Sequence, residues 1–92
     1  MYLHIGNGSM MRCSDIIGIF NMDTATVSGI TRSFLRREEQ RGGLICADDD
    51  IPRSFVLCMS RAGQRVYLTR ISAGSLCRRA ETSDVAEEEE EE

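Results

Sequence analysis

The sequence predicts an α+β fold, a small mostly antiparallel β-sheet of about six short strands with one long central helix and a short C-terminal helix. Two observations predict it. Short runs rich in Ile, Val, Leu and aromatic residues recur between turns that contain Gly, Asp or Ser, and this pattern is typical of β-strands. One longer segment instead has apolar residues at helical spacing. We expect residues 1–80 to form this domain, and residues 81–92, ETSDVAEEEEEE, to be a disordered acidic tail.

Three strands are predicted in the first part of the chain. Residues 2–5 (YLHI) and 9–13 (SMMRC) flank Gly6-Asn7-Gly8, a pattern that predicts a hairpin. The run IIGIF at residues 16–20 is short, apolar and largely β-branched. It therefore predicts a third strand that is buried on both faces.

The long central helix is predicted to follow, capped by Asp23 or Thr24 and ended by Gly42-Gly43. Its arginines form two pairs one turn apart, Arg32 with Arg36 and Arg37 with Arg41, so they form either an ordinary solvated face or part of a basic surface. The apolar positions follow the i, i+3, i+7, i+8 spacing of one buried stripe, namely Val27, Ile30, Phe34 and Leu35.

The second half of the chain predicts three more strands and the short helix. Residues 44–47 make a short strand, and the three aspartates at 48–50 form a turn that we expect to be exposed to water. Pro52 precedes the next strand, residues 54–59, which a loop around residues 61–64 joins to the last one. That last strand covers residues 66–69. The short helix carries Leu76, with Ser72 or Ser75 as its cap.

Charge is strongly segregated along the chain. All eleven basic residues are arginines and lie before residue 81, where they exceed seven carboxylates and leave residues 1–80 with a net charge of +4. Residues 81–92 carry eight carboxylates. A basic domain with an acidic appendage indicates polyanion binding, with the tail as a competitor for the basic surface or as a solubilising arm. Alternatively, the glutamates merely stay solvated.

Neither a metal site nor an enzyme active site is expected. The four cysteines, Cys13, Cys46, Cys58 and Cys77, contain no C-x-x-C pair, so we predict buried structural thiols and no zinc. His4 is the sole histidine and has no catalytic partner at a recognisable spacing. The spacing of the glycines does not match a phosphate-binding loop, and the sequence implies no cofactor.

Hydropathy patterning argues against membrane insertion. No run approaches the ~20 apolar residues of a membrane span, and the sequence does not open with a charged leader and an apolar stretch. We expect a cytoplasmic protein. Because a domain of this size buries one small core, we also expect subunit association.

Six short motifs, in a fixed order, cover most of residues 1–80. They are MYLHIG (1–6), DIIGIFNMDT (15–24), ITRSFL (30–35), IPRSFV (51–56), VYLTRIS (66–72) and LCRRA (76–80). In their order and spacing the sequence resembles the RemA and RemB family of small bacterial extracellular-matrix (biofilm) regulators, and the RemB branch most closely. The resemblance implies a small α+β subunit that regulates matrix genes, in a family whose RemA branch is a ring-forming DNA-binding protein that contacts the duplex backbone through arginines.

The chain departs from the RemA pattern where the DNA-contacting arginines are expected, since Asp15, Asp50 and Ile51 stand there. Carboxylates would repel phosphate, so this binding surface does not transfer intact. If the chain binds double-stranded DNA, other arginines must contact it. Four are predicted to do so, namely Arg32, Arg36, Arg37 and Arg53.

Two functions therefore remain open. The first is an oligomeric DNA-binding transcriptional regulator, with a ring as one possible assembly, that uses arginine–phosphate contacts. The alternative is an oligomeric protein-interaction subunit that does not bind DNA and modulates another regulatory protein, which Asp15 and Asp50 favour.

Overall fold

The structure, a computed structural model, describes residues 2–80, and the predicted acidic tail at residues 81–92 lies outside the described residues. The described part has the predicted α+β class, but its strands form two sheets rather than one. The strands are β1 (Tyr2–His4), β2 (Met10–Arg12), β3 (Ile16–Asn21), β4 (Leu44–Cys46), β5 (Ser54–Ser60) and β6 (Gly63–Thr69), and the helices are α1 (Met22–Ala25), α2 (Gly29–Arg41) and α3 (residues 73–80), with one 3-10 turn at Cys13–Asp15.

Both predicted hairpins are present. β1 and β2 form a two-stranded antiparallel sheet in which Leu3 faces Met11. The larger sheet has the order β3-β5-β6-β4, and within it β5 and β6 pair from Ser54↔Thr69 to Ser60↔Gly63. β4 pairs with β6 in parallel, because the chain from β3 through α2 crosses from one edge of the sheet to the other.

β3 is an edge strand, and the prediction that it is buried on both faces was wrong. Among the described strands it pairs only with β5, with a register irregularity between Ile16 and Gly18. Ile17 is 60% exposed and Phe20 is 39% exposed. A short apolar run fits a buried strand and an edge strand equally well, and the position in the sheet decides between them.

The predicted single helix is divided into α1 and α2. Asn21 caps α1, since its Oδ1 accepts a hydrogen bond from the Thr24 backbone N at 3.1 Å. Ser28 caps α2. The predicted cap residues Asp23 and Thr24 instead lie inside α1. Between the two helices, the hydroxyl of Thr26 donates to the backbone oxygen of Met22 at 2.6 Å, and this local bond competes with helix continuation.

This break changes which apolar residues are buried. Val27 lies in the connection and is 77% exposed, and Ile30 in the first turn of α2 is 81% exposed. Leu35 is buried and Phe34 is half-buried against the sheet. The predicted stripe is therefore correct for its second half only. α2 ends at Arg41, and Gly42 caps it as predicted, because its left-handed φ of 81° favours glycine.

The larger sheet is covered on both faces. On one face, α2 contributes Leu35 to a cluster with Phe55 and Val66. On the other face, the β1–β2 hairpin and α3 pack on β5. This second cluster contains Leu3, Ile5, Met11, Ala47, Val56, Cys58 and Leu76.

The hairpin loop closely approaches the segment after β4. A Cβ atom placed on Gly6 would lie 2.7 Å from the backbone oxygen of Ala47 and 2.8 Å from its Cβ. Real Cβ atoms do not approach backbone so closely, so glycine is required at this contact. Gly6 therefore allows the two-stranded sheet to pack against the larger one.

The C-terminal helix and the cysteines partly follow the predictions. Of the two proposed caps for α3, Ser72 is the one used, with its Oγ accepting from the Ser75 backbone N at 3.2 Å. Cys58 is buried, but Cys46 and Cys77 are exposed, so the prediction of buried thiols fails for these two. No helix in residues 2–80 is long and apolar enough to span a membrane.

Candidate nucleic-acid interface

The four predicted DNA-binding arginines lie at two places on the surface. Arg32, Arg36 and Arg37 are on α2, and Arg53 is the last residue of the loop of residues 48–53, which precedes β5. All four are exposed. Their surroundings differ, and the differences decide which guanidinium groups are available for phosphate.

Arg32 is engaged within its own segment. Its Nη1 donates hydrogen bonds to the backbone oxygens of Thr26 and Val27, at 2.6 and 2.9 Å. These carbonyls belong to the connection between α1 and α2, whose own backbone bonding is incomplete. Arg32 therefore acts first as a clamp on this connection.

Arg36 and Arg37 are available. Within residues 2–80, neither side chain has a hydrogen bond or an ion pair. Arg37 also borders an apolar groove of about 320 Å³ between α2 and the sheet. Each guanidinium offers five N–H donors in a planar fork that matches phosphate geometry. The other residues of this groove, named here the α2 groove, are Phe20, Ile30, Thr31, Phe34, Phe55 and Leu57.

Arg53 lies in a more mixed environment. It borders a shallow depression of about 350 Å³ together with Asp50, Ile51 and Arg70. Nη1 of Arg70 is 3.6 Å from Oδ2 of Asp50, so these two charges partly cancel. Arg53 itself has no such partner among the described residues. Sequence reasoning overlooked Arg70, which only the packing of β6 against this loop brings to the site.

The aspartate turn is only partly exposed, and the prediction that all of it faces water was wrong. Asp48 is buried, with 8% of its surface accessible. Its Oδ2 accepts from the Arg70 backbone N at 3.0 Å and from the Thr69 hydroxyl at 3.3 Å, and its Oδ1 accepts from the Asp50 backbone N at 3.3 Å. The last bond is an Asx turn, a signal that the sequence does carry. Asp48 thus fixes the loop that presents Asp50 and Arg53.

Arg41, at the end of α2, is unavailable for phosphate. It forms an ion pair with the buried Glu38, and Gln64 of β6 donates to the same carboxylate at 3.0 Å. Hydrogen bonds from Arg41 and then Gln64 lower the pKa of Glu38 to about 2. The Glu38–Arg41 ion pair therefore links α2 to the sheet.

Two of the three residues that depart from the RemA pattern share one surface. Asp50 and Ile51 lie in the loop beside Arg53, where Ile51 is 86% exposed. Asp15 is half-buried in the 3-10 turn after β2. Burial raises the pKa of the Cys58 thiol, and the nearby negative charge of Asp15 adds to this effect.

Comparison with known proteins agrees with the family resemblance that the sequence motifs indicated. No protein-family model matches the chain. Extracellular matrix regulatory protein B of Bacillus subtilis (strain 168) is 28% identical over 81 residues, which span 88% of this chain and 91% of that protein. The similarity thus covers nearly all of both chains, and it confirms the predicted resemblance to the RemB branch of the extracellular matrix regulators.

Proposed function

We propose that this chain is a non-enzymatic regulatory protein of the extracellular-matrix type, which binds double-stranded DNA as a homo-oligomer through arginine–phosphate contacts. The name of the B. subtilis protein supports the regulatory role. One observation supports DNA binding. The guanidinium groups of Arg36, Arg37 and Arg53 are exposed and, among the described residues, have no ion-pair partner.

The charge of one subunit argues for an assembly rather than a monomer. Residues 1–80 carry a net charge of only +4, because seven carboxylates, among them the partners of Arg41 and Arg70, offset most of the eleven arginines. Repeating the three available guanidinium groups around an oligomer, whether a ring or a smaller assembly, multiplies the phosphate contacts of each binding event.

The exposed apolar residues beside the α2 groove support subunit association. Ile30 and Phe20, which line the groove, are 81% and 39% exposed, and Val27, in the connection before α2, is 77% exposed. Isolated exposed apolar residues are ordinary, but a patch of them that borders a groove marks an interaction surface. This patch supplies the contact that the proposed oligomer requires.

The test is binding of a fluorescent duplex by the full chain across a salt series. We expect the logarithm of the binding constant to fall linearly with the logarithm of salt concentration, with a slope near −0.9 per phosphate neutralised. Arg36→Gln/Arg37→Gln should weaken binding and flatten this slope. The matched control is Arg12→Gln/Arg61→Gln, which removes two exposed charges elsewhere, one from β2 and one from the β5–β6 turn.

A second candidate function is favoured by the loop of residues 48–53. Ile51 is 86% exposed and Asp50 is paired with Arg70, so this loop presents an apolar side chain within nearly neutral surroundings. Such a surface suits another regulatory protein better than phosphate. If the full chain does not bind the duplex at the lowest salt, the DNA proposal fails and this protein-interaction role becomes the favoured one.

A further inference from the structure

A second groove lies away from the proposed DNA-binding arginines. It has a volume of about 620 Å³ and lies between the β1–β2 hairpin and α3. We name it the α3 groove. Tyr2, His4 and Met10 line it from the hairpin side, and Arg78 and Arg79 line it from α3.

The α3 groove is positively charged. Arg78 uses one guanidinium nitrogen to bond the Ser75 hydroxyl at 3.3 Å, and Arg79 uses one to bond the His4 backbone oxygen at 3.3 Å. These bonds fix one nitrogen of each guanidinium and leave most of its five N–H donors without a partner among the described residues. Among the described residues that line the groove, none is acidic.

The groove also presents apolar surface. Tyr2 is 56% exposed and Met10 is 61% exposed. A ligand that suits this groove must therefore combine negative charge with an apolar group. The segment that follows α3 in the sequence, ETSDVAEEEEEE, has this composition, with Val85 between acidic residues.

We propose that residues 81–92 of the same chain bind in the α3 groove, with their carboxylates on Arg78 and Arg79 and with Val85 against Met10 and Tyr2. Exposed ion pairs are individually weak. Here, however, Glu81 is only two positions after Arg79, and so short a connection gives an effective concentration in the millimolar range. The segment needs no second molecule to reach the groove.

This proposal is independent of DNA binding, because the α3 groove contains none of the four predicted arginines. It also differs from direct competition at the DNA-binding surface. If the acidic segment occupies Arg78 and Arg79, then Arg36, Arg37 and Arg53 stay open to phosphate while the segment is bound.

The test uses NMR spectroscopy on the full chain without DNA. We expect nuclear Overhauser cross-peaks between the Val85 methyl groups and Met10 or Tyr2 at low salt, with intensities that fall by about threefold or more as salt shortens the Debye length. Arg78→Gln/Arg79→Gln should remove these cross-peaks. Replacing Glu87–Glu92 by glutamine should remove them as well.

The matched control is Arg36→Gln/Arg37→Gln, which removes the same charge from α2 and should leave the cross-peaks unchanged. Loss of the cross-peaks in this control would place the segment on α2 and overturn the proposal. Absence of cross-peaks in the unaltered chain at low salt would also overturn it. So would cross-peaks that grow in relative intensity with protein concentration, since they would report a segment from a second copy.

Discussion

The Glu38 carboxylate accepts two hydrogen bonds from the guanidinium of Arg41, from Nε at 2.7 Å and from Nη2 at 2.8 Å. The same Arg41 nitrogen Nη2 also donates to the backbone oxygen of Gln64 at 2.9 Å. The pair therefore anchors the last turn of α2 to β6. Because Glu38 is buried at 4% exposure, its charge depends on these partners.

Glu38→Gln should destabilise the fold by about 1–2 kcal/mol at neutral pH, because it removes a charge-assisted pair that is half screened by solvent on the arginine side. The folded-state pKa of Glu38 is lowered from 4.5 to about 2, so its stabilising contribution is present above about pH 4.5 and is lost as pH falls toward 2. Urea unfolding across this range should show the difference between the two proteins shrinking with acid.

Glu39→Gln is the control for this experiment, since Glu39 is the exposed neighbour on the same helix. It should leave the free energy of unfolding nearly unchanged at neutral pH. A loss from Glu38→Gln that stays constant from neutral to acid pH would contradict the assigned ion pair.

Asp48→Ala should destabilise the protein by about 1–3 kcal/mol, because it leaves the Arg70 backbone N–H and the Thr69 hydroxyl without their acceptor. Asp49→Ala, at the adjacent exposed position, should change stability by less than about 0.5 kcal/mol. Chemical denaturation of both variants measures the contrast. Equal effects would mean that the turn is solvated throughout, as the sequence alone had indicated.

Gly6→Ala should destabilise the protein by about 1–3 kcal/mol, because the added methyl group would overlap the backbone of Ala47. Gly29→Ala in the first turn of α2 is the comparison, since there the nearest atom lies at an ordinary 3.5 Å. We expect it to be neutral or slightly stabilising, because alanine favours helix. Thermal unfolding distinguishes the two, and a harmless Gly6→Ala would disprove the close packing of the two sheets.

Arg32→Gln and Arg36→Gln should separate stability from DNA binding. Arg32→Gln removes the clamp on the α1–α2 connection and should cost about 0.5–1.5 kcal/mol in unfolding experiments. Arg36→Gln should leave stability within about 0.5 kcal/mol but weaken duplex binding. If Arg32→Gln weakens binding without any loss of stability, Arg32 contacts phosphate and the clamp is secondary.

Ile30→Asn should weaken the proposed oligomer without unfolding the subunit, because Ile30 is 81% exposed and contributes little to the core. Sedimentation velocity should show a shift toward smaller species, while circular dichroism stays the same. Gln40→Asn is the control, since it introduces the same side chain at an exposed position near the other end of α2. An unchanged sedimentation profile for Ile30→Asn would exclude Ile30 from the subunit contact.

The sequence alone predicted the features that rest on local rules. Turn chemistry located both hairpins, the positive φ at Gly42 ended α2 where glycine was expected, and Ser72 was among the two predicted caps of α3. These features depend on residues within a few positions of one another, and short-range sterics and hydrogen bonding determine them.

Burial and availability for binding were decided by the tertiary structure. Asp48 and Glu38 resemble solvated residues in the sequence, yet both are buried, and each accepts a hydrogen bond from a side chain more than twenty positions away, Thr69 for Asp48 and Gln64 for Glu38. In the same way, the sequence could nominate Arg32 but could not show that its guanidinium clamps the α1–α2 connection. Every arginine carries the same guanidinium group, so the sequence cannot distinguish them. Their hydrogen-bond partners in the folded protein decide which of them remain available to contact a ligand.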